Sequence, residues 1–344
     1  MYSRTYDAQR YSPLNQFNKQ NAGRLTQVWS NTPGTIEIIP IVHDGVMYIV
    51  VPSQGKGTAV QALDATNGQL IWEYKRPAGG PSRAKTLGIF EDLILFAAPD
   101  GFILGLDART GQLRWETKTS GSLTAGTIVF GDKVLSGRSC TAGGRVDCYI
   151  VAHDARTGKE VWRFYTVAGS DVICAYNTKS YWPMSYHPGK NSLYVPYVDN
   201  CLDMTRANGN QPERRTGVRR PGFDPEKFGG IAKINMTTGE IQRLYEGRAP
   251  GNGATLVTAG DVVFWGDLNQ KFRAFDADTG KILWETTLGG PIQTSTITYR
   301  VNGKQYIAVV TGLGAVTASI FPRAGVTGIN PQRNNAIHVF ALPN

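Results

Sequence analysis

Long apolar runs are missing from this 344-residue chain: nowhere do the ~18 consecutive apolar residues of a membrane-crossing helix occur, so no helical span is expected. Charge is sparse, with Asp, Glu, Lys and Arg at 18% of residues. The four histidines (43, 153, 187 and 338) are scattered and the cysteines form no C-x-x-C pair, which leaves no sequence pattern for a structural metal site. Met1 opens the polar, aromatic stretch "MYSRTYDAQRYSPLN" rather than an apolar signal run, and this reads as the start of a mature chain. The formal net charge of +9 raises nucleic acid as a partner. The basic cluster "ERRTGVRRPG" at 213–222 is short and runs into Pro-Gly, so a solvated loop is its default reading and no nucleic acid is expected.

What the chain has in abundance is glycine, 40 residues, and one repeated phrase. "ALDATNGQLIWE" at 62 returns as "GLDARTGQLRWE" at 105, "AHDARTGKEVWR" at 152 and "AFDADTGKILWE" at 274. A degenerate copy, "AKINMTTGEIQR" at 232, has Asn235 for Asp and Arg243 for Trp. An apolar strand ending at Asp, an Asx-type turn closed by a Gly free to take positive φ, and a second strand together make a β-hairpin. The Asp or Asn markers are 43, 47, 81 and 41 residues apart, the period of propeller blades, and the interval of 81 has room for a further blade without its marker. The recurring Trp is expected to wedge against the neighbouring blade, burying ~150–250 Å². The fold expected is all-β, a β-propeller with about six blades visible, running over residues 1–344 as one domain.

The cysteines are spaced as two local pairs, Cys140 with Cys148 and Cys174 with Cys201. An even count in a β-rich chain favours disulfides formed in an oxidising compartment, with four buried thiols as the alternative.

The repeated hairpin, the opening "YSRTYDAQRYSPLNQFNKQNAGRLTQVWS", the phrase "GKEVWRFYTV" and the late "TAGDVVFWGDLNQKFRAFDADTGKILWE" resemble the quinoprotein alcohol dehydrogenases, which use pyrroloquinoline quinone. The resemblance runs from Tyr2 to Pro343. It implies eight four-stranded blades around a quinone, usually beside calcium or a lanthanide, in a periplasmic enzyme. It also exposes a gap: where such enzymes continue through roughly two blades, Gly169 here is followed at once by Ser170, either in a natural short form or by omission of a segment of a longer protein, and omission is the expectation. That stretch normally supplies the Trp floor under the quinone, an Asn metal ligand and the catalytic Asp, so neither the catalytic base nor a metal ligand is assigned to this chain.

Other family positions carry over. Glu37, inside the apolar run of "TPGTIEIIPIV", matches the carboxylate that hydrogen-bonds the quinone; an unpaired charge there would be costly. Lys85 stands where an Arg lies beside the quinone, a cation suited to a tricarboxylate. Thr124 matches a hydroxyl contact and Asn252 another cofactor-facing position, with an ordinary strand Thr and a turn Asn as their plain readings. Val316 replaces a bulky Trp over the substrate pocket, with Trp182 also assigned to that pocket, so alcohols larger than methanol are expected, secondary or sugar-type alcohols included.

Two departures stand out. The adjacent cysteines of many relatives are absent from "GGPSRAK", and the loop "RSCTAGGRVDC" lacks the metal-ligating Glu, offering Arg138, Arg145 and Asp147. Calcium is accordingly an open expectation, with Arg138 as a partial electrostatic substitute. The chemistry implied is oxidation of an alcohol with pyrroloquinoline quinone, electrons passing to a cytochrome c partner, since no C-x-x-C-H occurs in the sequence. The rival reading is a non-catalytic propeller scaffold that binds other proteins.

Overall fold

The computed structural model describes residues 11–32, 39–53, 57–77, 86–119, 123, 126–138, 149–165, 184–198, 201–205, 214–218, 224–251, 253–292, 294–312, 329 and 334–343. Within them the regular structure is almost entirely strand. β1 (Tyr11–Ser12) and β2 (Thr26–Asn31) come first. A first sheet follows from β3 (Ile41–His43), β4 (Val46–Pro52), β5 (Thr58–Asp64) and β6 (Leu70–Arg76). The second is β7 (Gly88–Phe90), β8 (Leu93–Ala97), β9 (Phe102–Asp107) and β10 (Leu113–Lys118). The third is β11 (Ile128–Phe130), β12 (Lys133–Arg138), β13 (Tyr149–Asp154) and β14 (Glu160–Tyr165).

The fourth sheet begins with β15 (Ser185–His187) and β16 (Ser192–Val198). A separate hairpin, β17 (Cys201–Thr205) with β18 (Arg214–Val218), intervenes before β19 (Gly229–Asn235) and β20 (Ile241–Gly247) complete it. The fifth is β21 (Leu256–Thr258), β22 (Val262–Gly266), β23 (Lys271–Asp276) and β24 (Ile282–Thr287), with β1 added in parallel beside β21. In the sixth, β25 (Ile297–Val301), β26 (Lys304–Thr311) and β27 (Ala336–Ala341) are joined by β2.

Six blade-like sheets agree with the six expected. The further blade anticipated between Asp154 and Asn235 is not found there: among the described residues that interval contains β14, three strands of the fourth sheet and the hairpin β17–β18. Its extra length went into that hairpin and into residues 166–183, which lie outside the described residues. The chain divides into two compact units, Met1–Tyr2 with Trp29–Val172, and Ser3–Val28 with Ile173–Asn344.

The repeated phrase forms the turn between third and fourth strands. In the first sheet Asp64 Oδ1 accepts from the backbone N–H of Thr66, and the Gly68 N–H closes onto the Asp64 carbonyl. Asp107, Asp154, Asn235 and Asp276 repeat this geometry. The tryptophans then stitch successive sheets of the first unit. Trp29 Nε1 donates to the Ala65 carbonyl at 3.2 Å and Trp72 Nε1 to Ala108 at 2.9 Å. Each ring lies against the glycine of the turn it caps: a Cβ on Gly68 would stand 2.6 Å from the Trp29 ring, one on Gly111 2.5 Å from Trp72, and one on Gly158 2.3 Å from Trp115. Glycine is required twice over, for φ near +75° and for the ring.

The second unit handles the degenerate copy differently. With Arg243 in the Trp position, the Leu244 carbonyl fills the space over Gly280, and the Tyr194 hydroxyl donates to the Ala277 carbonyl at 3.0 Å. Trp284 packs edge-on against Phe340, ring centroids 5.1 Å apart.

Gly111→Ala should lower stability by about 2–5 kcal/mol, the left-handed backbone penalty plus overpacking against a buried ring. Gly131, at φ +58° with open space around it, supplies the control: Gly131→Ala should cost only the backbone part, about 1–2 kcal/mol. Urea midpoints of the two variants check this, and equal losses would show that the ring contact carries nothing.

Candidate functional site

In a four-stranded antiparallel sheet, the segment entering strand one and the connection from strand two to strand three lie at the same end, and the turn between strands three and four lies at the other. In sequence, every carried-over position adjoins a strand terminus that lies at the first end of its sheet. Lys85, Thr124, Trp182 and Asn252 precede β7, β11, β15 and β21; Glu37 precedes β3; Val316 follows β26, a second strand. The hairpin β17–β18 and Cys140 and Cys148 occupy second-to-third connections, and Cys174 precedes β15. The Asx turns sit at the opposite end. Glu37, Lys85, Thr124, Trp182, Asn252 and Val316 themselves lie outside the described residues, as do Cys140, Cys148 and Cys174; Cys201 is described only as backbone of β17. The flanks of several are described, and they define the connector end chemically.

In the first unit, buried hydroxyls latch neighbouring connectors together. Thr86 Oγ1, one residue after Lys85, donates to the Thr127 carbonyl at 2.8 Å, and Thr127 Oγ1 donates to Leu95 at 2.8 Å. Gly126, at φ +85°, makes room for this contact, since a Cβ there would stand 2.6 Å from Thr86. In the second unit Ser185 Oγ meets Thr255 Oγ1 at 2.9 Å, and Thr255 donates to the Tyr194 carbonyl at 2.9 Å. Here short hydroxyl side chains satisfy buried carbonyls where irregular backbone meets a sheet.

Asp267 organises the connector end of the fifth sheet. Its Oδ1 accepts from the N–H groups of Asn269 and Lys271, and Arg273 Nη1 reaches Oδ2 at 2.6 Å while Arg273 Nε bonds Glu285 at 2.7 Å. Burial pushes the Asp267 carboxyl up and the Arg273 charge pulls against it. The same turn is tied to both flanking connectors, Leu268 N–H to the Pro250 carbonyl and Ile292 N–H to that of Asp267. Beside Pro250, the Gly251 backbone lies flat on Trp265, where a Cβ would come within 1.8 Å of the ring. Trp265 Nε1 is buried without an acceptor among the described residues, and the Gly251 laid on its ring is one position in sequence from Asn252.

A second charged cluster closes the opposite end of that unit. Asp278 faces Lys19, Lys190 and Lys233 at 2.8, 2.9 and 3.3 Å; burial raises its carboxyl, but the three ammonium groups outweigh this and hold it well below the usual range. Asp261 pairs with Lys190 and lies 3.1 Å from His187 Nε2. Sequence reading missed the Asp267–Arg273 pair, whose partners lie on a turn and neighbouring strands of one sheet, and the hydroxyl latches and this clasp, whose partners come from different sheets. The "GDLNQ" turn before Arg273 was the one local signal. No group of three His, Cys, Asp or Glu side chains able to hold a metal occurs among the described residues.

These features belong to a recognisable class. The computed fold superposes on a europium-containing methanol dehydrogenase with a TM-score of 0.81 at 19% identity, covering 99% of this chain and 97% of that one, which makes the fold a β-propeller of the quinoprotein type. Residues 226–307 match the family described as glucose/ethanol/alcohol dehydrogenase, beta-propeller domain, and residues 19–163 match that of the outer membrane protein assembly factor BamB. Quinohemoprotein alcohol dehydrogenase ADH-IIG of Pseudomonas putida is 39% identical over 188 residues, 49% of this chain and 25% of that protein. The dehydrogenase subunit of the quinone-linked alcohol dehydrogenase of Gluconacetobacter polyoxogenes is 26% identical over 401 residues, covering 96% of this chain and 53% of that protein. The chain is a relative of the pyrroloquinoline quinone-dependent alcohol dehydrogenases, and it spans about half the length, or less, of these two curated relatives.

His338, on β27, titrates in a readable window. Burial lowers it to about 4 from an ordinary 6.5, and Nδ1 keeps 3.2 Å contact with Gln27 Oε1. The unfolded chain therefore takes up a proton before the folded one. The His338 contribution is complete above pH 6.5 and shrinks as pH falls towards 4, by about 3 kcal/mol at most. The urea midpoint of His338→Phe should decline less than wild type between pH 7 and pH 4.5; parallel declines would assign the acid limb to other groups.

Proposed function

We propose that this chain is the propeller of a pyrroloquinoline quinone-dependent alcohol dehydrogenase, one quinoprotein-type domain over 1–344 that lacks blades between Gly169 and Ser170. The observation that supports the reading concerns the described flanks: in sequence the residues assigned to cofactor and substrate adjoin strand termini on the connector side, and the described part of that side carries buried hydroxyls and the Asp267–Arg273 pair. The buried, unpaired Trp265 Nε1 and the glycine backbone laid on its ring fit a flat, oxygen-rich ligand. Bound there, the quinone would supply a two-electron acceptor for hydride from an alcohol.

The roles of the chain's own groups follow. Glu37 hydrogen-bonds the quinone, Lys85 sets a positive charge beside its carboxylates, and Thr124 and Asn252 orient it. Val316 and Trp182 shape a pocket wide enough for an alcohol bulkier than methanol. No side chain of this chain is assigned as base, and calcium has no ligand set among the described residues. Residence in the periplasm accords with the relatives' chemistry and with cysteines in local pairs.

Losing one charge-assisted hydrogen bond should weaken binding of the quinone about 10-fold to 150-fold. Equilibrium dialysis of pyrroloquinoline quinone against Glu37→Gln and Lys85→Ala, with and without calcium, checks this. Unchanged affinity in both variants would move the site elsewhere. No binding to wild type would favour the scaffold reading that the match over 19–163 suggests.

Electrons then pass to a cytochrome c, with Arg214, Arg215, Arg219 and Arg220 of the β17–β18 insertion steering an acidic partner. Rim charges act chiefly on encounter rate, screened within ~8 Å at physiological salt. Replacing all four with Gln should slow reduction of cytochrome c at low salt while sparing a small uncharged dye. A parallel fall in both activities would instead place the insertion in the active site.

A further inference from the structure

Asn252 belongs in sequence to the connector from β20 to β21, and the described residues on either side of it, Pro250, Gly251, Gly253 and Ala254, are buried. Three backbone bonds tie this connector to its surroundings. Leu268 N–H donates to the Pro250 carbonyl at 2.9 Å, Ala254 N–H to that of Thr294 at 3.0 Å, and Ile292 N–H to that of Asp267 at 3.0 Å. They close a triangle: the chain from Pro250 to Ala254 is anchored at both ends, once to the Asp267–Leu268 turn and once to Thr294, and the turn itself is anchored to Ile292. Thr294 Oγ1 donates to the Val310 carbonyl at 2.8 Å and Gly312 N–H to that of Pro291 at 2.9 Å, which extends the arrangement to the strand end that precedes Val316.

None of the described residues of these three segments is in a strand, so no sheet ladder fixes them. One buried charge pair stiffens the turn instead. Asp267 holds it through the N–H groups of Asn269 and Lys271, and Arg273 joins Asp267 to Glu285 of β24 while its guanidinium lies 5.3 Å from the ring of Tyr245, on the strand that enters the connector. Little slack remains, since a Cβ on Gly251 would collide with the Trp265 ring and one on Gly266 with Ile292. The positions in register with Arg273, one residue before the partner of the tryptophan, are Leu104 in the second sheet and Val151 in the third, both fully buried. An ion pair in such a place adds little stability, because desolvation offsets most of its attraction, and its attested use is to specify one arrangement over others.

We propose that Asp267 and Arg273 are positioning residues for the quinone, a role that rests on the cofactor site proposed above: without touching the cofactor they hold the 250–254 connector so that Asn252 meets it in one orientation. All of the bonds that carry this lie within the second unit.

Hydrogen exchange on the full chain without quinone reads the connector directly. Arg273→Met should cost the N–H groups of Leu268, Ala254 and Ile292 at least about 10-fold in protection, while Gly280 N–H, in the Asx turn at the other end of the same sheet, keeps its own. In equilibrium dialysis Asn252→Ala should weaken quinone binding about 3-fold to 10-fold, the worth of one neutral hydrogen bond, and Arg273→Met should match it. Because both act through one contact, the double variant should bind no more weakly than Asn252→Ala alone. Asp278→Asn, which loosens the lysine clasp at the opposite end, is the control for a general loss of stability and should leave quinone affinity unchanged. Arg273→Lys keeps a charge beside Asp267 but loses the fork to Glu285; it should fall between wild type and Arg273→Met, and it gives the same readings where the Met variant does not fold. Unaltered exchange at the connector, additive losses in the double variant, or equal weakening by Asp278→Asn would each overturn the positioning role while quinone binding to wild type stands. No binding to wild type would overturn the quinone site and this role together.

Discussion

A tryptophan ring laid on a glycine in the next sheet is the contact on which this architecture depends. It combines three demands: a left-handed turn residue without Cβ, a carbonyl left free by the Asx turn, and an indole one sheet away whose N–H satisfies that carbonyl. Because Trp29 to Ala65 and Trp72 to Ala108 each span 36 residues, the contact sets the repeat length as well as the stacking. Where Arg243 breaks the series, Tyr194 takes over the carbonyl and the Leu244 backbone takes over the space. The stacking survives loss of the ring because both of its functions are met separately.

The two ends of the sheets have divided their labour. Asx turns hold one end with short-range bonds that each hairpin makes for itself. The connector end relies on bonds between segments far apart in sequence: Thr86 to Thr127, Ser185 to Thr255, and the Asp267 turn to both of its flanking connectors. Irregular backbone held by buried hydroxyls and carboxylates is the setting in which polar groups can be aimed at a ligand, since a rigid sheet stands behind each of them. The two family matches, a dehydrogenase propeller and an assembly factor, fall on different stretches of one chain, as expected where function rests on the site and not on the scaffold.

Much of this was legible in the sequence. The Asp, Gly and Trp spacing determined the hairpins, their number and the propeller class, because those interactions are local or recur at a fixed period. The resemblance to quinoprotein dehydrogenases also rested on local phrases. Tertiary structure decided the rest. Asp267 read as an ordinary turn carboxylate until Arg273 and Glu285 closed on it. The 81-residue interval read as room for a blade and contained an inserted hairpin. In each case the deciding partner lies on another strand or sheet, and whether a side chain has one depends on how sheets stack, a relation that no single stretch of sequence encodes.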